Sequence, residues 1–89
     1  MATPMEYDVL REIYSSAMAA FTRLEIKYGI DTKQFEANRN RFVQVWLDEV
    51  KRKDLEAIDY QAAAAHMKEA AELWTDLEED LWQKSQEIA

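Results

Sequence analysis

Cysteine is absent from the 89 residues, which excludes disulfides, thiolate metal sites and a cysteine nucleophile. Glycine and proline occur once each, as Gly29 and Pro4. Sandwiches and barrels need turn residues every ~8–12 positions, so an all-β fold is excluded as well. The one histidine, His66, rules out chemistry that requires two imidazoles. A di-iron carboxylate bundle would need two Glu-x-x-His motifs, and the chain has none. No Gly-rich phosphate loop is present. No apolar run approaches the ~18 residues of a membrane span, and no apolar leader stretch follows the N-terminus. We therefore expect a soluble, cytoplasmic protein. Positive charge is also scarce: 11 basic residues face 18 acidic ones, a net charge of −7. That sign opposes general binding to nucleic acid or to an anionic membrane.

What remains is an apolar fraction of 48%, enough for one core in one domain over residues 1–89. Thr3-Pro4-Met5-Glu6 reads as a capping box, with Thr at the N-cap, Pro at N1 and Glu at N3. From there Tyr7, Leu10, Tyr14, Ala17, Phe21, Leu24 and Tyr28 recur in steps of three and four. This is the seam of an amphipathic helix, widened by Val9, Ile13 and Met18. Gly29 stands where a helix needs a left-handed terminator, with Ile30 folding back towards Leu24. The first helix is expected at about 4–28.

Asp31 and Thr32 are both good N-caps for a second helix. Phe35, Phe42, Val43, Trp46, Leu47 and Val50 share one side of it. Lys51, Arg52 and Lys53 close it where positive charge suits the exposed carbonyls, which gives about 32–53. Asp59 caps a third helix over about 59–87, whose seam includes Tyr60, Ala63, Met67, Ala70, Trp74 and Leu77. The fold class is all-α, an antiparallel three-helix bundle. Ten aromatic residues are many for so slim a molecule. Either they thicken the core or the bundle completes its core as a homodimer.

Catalysis finds no equipment here. Ser15, Ser16 and Ser85 lie in helical sequence with no strained elbow, and only His66 could serve a triad. His66 itself is expected as a half-buried packing residue beside the third seam. We expect no enzyme, no cofactor and no metal.

Charge is segregated. Residues 59–89 carry eight acids against Lys68 and Lys84, whereas residues 31–54 are close to neutral. Glu69, Glu72, Asp76 and Glu79 form a stripe opposite the apolar seam, with Asp80 beside it. Glu72–Asp76 and Asp76–Asp80 are like-charge i,i+4 pairs, each costing ~0.2–0.5 kcal/mol. Arg39 and Arg41 of the second helix should come level with this region in an antiparallel hairpin, but exposed pairs contribute only ~0–1 kcal/mol. Trp74, Glu78 and Trp82 follow at i, i+4 and i+8, placing a carboxylate between two indoles. Aromatic residues beside a carboxylate suit an incoming Arg or Lys. The expectation is a protein-interaction module that presents this helix to a basic partner surface, such as that of a nucleic-acid-binding protein, without contacting nucleic acid itself. A narrower alternative is a phage-type inhibitor of a host defence nuclease, anti-CRISPR or anti-restriction in character, whose carboxylates imitate phosphates. A carboxylate–metal protein is the third option.

Overall fold

The computed structural model describes residues 2–88. Three α-helices carry the fold: α1 over Pro4–Ile26, α2 over Glu36–Trp46 and α3 over Tyr60–Ile88. Among the described residues there is no strand, and no helix is long and apolar enough to cross a membrane.

Local chemistry accounts for most of the boundaries. The Thr3 hydroxyl accepts from the Glu6 amide at 3.1 Å, and the Glu6 carboxylate accepts from the Thr3 amide at 2.9 Å. Both otherwise orphaned donors are thereby satisfied. At the other end α1 stops at Ile26, two residues short of the expected 28. Gly29 adopts φ +65°, and the Ile30 amide returns to the Leu24 carbonyl at 2.8 Å. Asp59 caps α3, accepting the Ala62 amide on its side chain and the Ala63 amide on its carbonyl.

The second helix is not the single α-helix expected over 32–53. It opens with a 3₁₀ turn over Thr32–Phe35, whose Asp31 cap accepts the Lys33 amide, and becomes α-helical only at Glu36. After Trp46 it widens into a π-helical turn over Leu47–Lys51, closed by the Arg52 amide on the Leu47 carbonyl. Trp46 just before that turn and Val50 within it are both buried, and Glu49, also within it, reaches α3. The helix ends at Lys51, and a short 3₁₀ turn over Leu55–Ala57 leads to α3.

Cross-helix pairs give the topology. Ala17 meets Trp74 and Arg23 meets Glu78, so α1 and α3 run parallel. Arg41 meets Glu69 and Glu49 meets His66, so α2 runs antiparallel to α3. Alanines at the seams (Ala17, Ala20, Ala63, Ala70 and Ala71) are buried and let α3 lie close to its neighbours. Between α1 and α2, by contrast, rings fill the space. Tyr14 stacks on both Phe42 and Trp46, with centroids 5.6 and 4.8 Å away. Trp74 meets Phe21 and Phe42 edge-on at 5.7 and 5.6 Å. Tyr28, Phe35 and Tyr60 pack partly buried against the same cluster. The large aromatic stock therefore thickens this chain's own core, and among the described residues Trp82 is the one ring left among the exposed large apolar side chains. The bundle is flat, with extents of 47 × 26 × 17 Å.

Candidate functional site

The third helix owes its two-sided character to spacing. Ala63, Met67, Ala70 and Trp74 recur in three–four steps and are buried, which turns Glu72, Asp76 and Glu79 outward. Asp80 is exposed beside them. None of these four carboxylates has an ion-pair partner among the described residues. Glu69, at the start of the stripe, lies 3.8 Å from Arg41, and both side chains are more than half exposed. Such a contact is long and weak. Arg39, the other candidate partner, instead lies over the Phe21 ring with its guanidinium carbon 5.5 Å from the centroid.

Two of the expected contact residues are elsewhere. Trp74 is completely buried, and its indole N–H donates to the Ala17 carbonyl at 3.0 Å. It belongs to the core and cannot face a partner. Its place in the seam, midway along the bundle where α1 and α2 both flank α3, is the physical reason. Glu78 is likewise engaged internally. Arg23 of α1 donates to it through Nε at 2.6 Å and through an Nη at 2.7 Å, a two-pronged pair. That hydrogen bonding, helped by the nearby negative charge, raises the Arg23 pKa above its ordinary value against the lowering effect of burial. Glu78 is therefore not a vacant carboxylate between two indoles.

Trp82 is half exposed, as a docking residue requires. A residue that the pattern did not single out joins it: Leu73 is 57% exposed. It lies one position off the seam, next to Glu72 and three residues before Asp76. Trp82 follows Glu79 by three, on the other flank. The outward face of α3 thus has a carboxylate centre with one large apolar side chain on each side. The signal was in the sequence, since a leucine outside a strict three–four seam must be spent on the surface or at a flank.

His66 is half exposed, and its Nδ1 lies 2.6 Å from Glu49 Oε1. The pair ties the π-helical turn to α3, while Glu49 Oε2 is buried without a hydrogen-bond partner. No group of three or more His, Asp or Glu side chains is arranged to hold a metal ion among the described residues. No protein-family model matches the chain, and neither a curated protein nor a solved structure matches it.

Proposed function

We propose that this chain is a non-catalytic interaction module that docks the outward face of α3 onto a basic protein surface. The observation that carries the proposal is that Glu72, Asp76, Glu79 and Asp80 have no ion-pair partner among the described residues. Four carboxylates within nine positions repel one another, and the chain leaves Lys33, Lys51 and Lys53 exposed at other places. A sequence selected for stability alone would interleave lysines here. The carboxylates steer association and set its salt dependence. Leu73 and Trp82 supply the apolar contact that charge alone lacks, in place of Trp74 and Glu78. The setting proposed is the cytoplasm, where a chain without cysteine loses nothing to reduction.

The test is affinity capture of partners from the cell of origin at low and at high salt. A basic protein retained at low salt and released at high salt supports the proposal. Retention that ignores salt, or that favours acidic proteins, defeats it. If the partner binds nucleic acid, competition between the chain and that nucleic acid distinguishes a blocker of the partner's binding site from a plain adaptor.

A further inference from the structure

Beside the acidic face, on the side of α3 away from α2, α1 and α3 leave an open groove of about 430 Å³. Val9, Ile13, Ser16 and Ala20 line it from α1, and Ala71 and Thr75 from α3. Val9 is 41% exposed although it lies beside the apolar seam. The lining residues step by three and four on both helices. Two parallel ridges of that period form the seat into which a third set of i, i+3 and i+4 side chains fits. From Val9 to Arg23 the seat spans fifteen residues, or ~21 Å at the rise of an α-helix. The Arg23–Glu78 pair closes one end, and Trp82 follows Glu78 by one turn on the same flank of α3.

Charge selects the occupant. Glu12 and Lys68 lie at the groove itself, and Glu72 and Glu79 flank Thr75 on its outer side. None of the four has an ion-pair partner among the described residues, so three carboxylates face one ammonium. A second copy of the chain would bring another net charge of −7 against this rim. Groove against groove would also leave both concave surfaces unfilled.

We infer that the α1–α3 groove receives an amphipathic helix of a partner protein, about four turns long, with aliphatic residues on one face and Lys or Arg at its margins. This inference rests on the proposed docking of a basic partner and names the element by which that partner is held.

The test uses the full chain and a labelled synthetic peptide of about 16 residues. Its leucines recur at three–four spacing and lysines flank them. A control peptide has the same composition in scrambled order, which keeps the charge and destroys the apolar face. Ser16→Trp fills the groove from an exposed position, and Ser15→Trp adds the same bulk outside it. Circular dichroism confirms that both variants are folded. The ordered peptide should bind more tightly than the scrambled one, and Ser16→Trp should weaken it about tenfold while Ser15→Trp leaves it unchanged. Equal binding of the two peptides, or equal effects of the two tryptophans, overturns the inference. So does a chain that dimerises alone and becomes monomeric on Ser16→Trp, because a second copy would then fill the seat. Reversal of Asp76 and Asp80 to Lys, two exposed acids of the outward face that lie off the groove rim, keeps the two ideas apart. If it leaves binding intact while Ser16→Trp abolishes it, the acidic face fails and the groove stands. The opposite pattern removes the groove and keeps the acidic face.

Discussion

The indole N–H of Trp74 and the backbone carbonyl of Ala17 are hydrogen-bonded at 3.0 Å in the middle of the core. The bond sets the register of α1 against α3 where Phe21 and Phe42 close around the same ring. Trp74→Ala removes the largest fully buried side chain and should cost ~3–5 kcal/mol, measured by urea unfolding. Trp74→Phe keeps a ring but loses the hydrogen bond, and should cost less. A surface residue would show a change within about 0.5 kcal/mol in either variant.

The Arg23–Glu78 pair ties α1 to α3 further along the bundle. Arg23 is nearly half exposed, so its replacement by Gln should cost no more than ~1 kcal/mol. The direction of the Arg23 shift fixes the pH window. With Glu78 ionised, a raised pKa means that the stabilisation is present below the ordinary arginine value and is lost as pH rises through the raised one. The difference between wild type and Arg23→Gln should therefore be flat from about pH 6 to pH 9 in thermal unfolding.

Gly29 is the hinge between α1 and the 3₁₀ turn that follows. Its φ of +65° disfavours any side chain, yet a Cβ there would touch nothing within 4 Å. Gly29→Ala should thus cost ~1–2 kcal/mol of backbone strain with no packing change. Equilibrium unfolding should show that loss with an unchanged dependence on denaturant concentration.

The sequence made the start of α1, the Gly29 turn after it and the start of α3 legible, because Thr3, Glu6, Gly29 and Asp59 act on their immediate neighbours. The partition of the second helix was not legible. Its apolar residues keep a helical period from Phe35 to Val50, and nothing in that period separates 3₁₀, α and π spacing. The widened turn accompanies burial of Val50 and of Trp46, which stacks on Tyr14 of α1, and the contact of Glu49 with His66 of α3, so it depends on the other helices being in place. The same limit applies to the site. Outward placement of Glu72, Asp76 and Glu79 follows from periodicity within one helix. The engagement of Glu78 by Arg23 spans 55 residues and needs the parallel register of α1 and α3. Arg39 and Arg41, which the antiparallel α2 brings near, are engaged at Phe21 and Glu69 instead. Trp74 was readable as core from the seam alone. Its pairing with Trp82 at eight residues hid that the first indole is enclosed while the second is half exposed.

Leu73 gives a check independent of charge. It is exposed, so Leu73→Ser should leave the unfolding free energy within about 0.5 kcal/mol of wild type. The same change should weaken partner binding by more than ~1 kcal/mol, read by calorimetry with the captured protein. Equal affinity for the two chains would assign Leu73 no part in docking.

The most direct measurement is the affinity of the captured partner for the wild-type chain and for a variant with Glu72, Asp76 and Glu79 all changed to Lys, at low ionic strength. The account predicts a loss of at least tenfold with helicity unchanged, and a wild-type affinity that falls as salt is added. Unchanged affinity of the folded variant would contradict it.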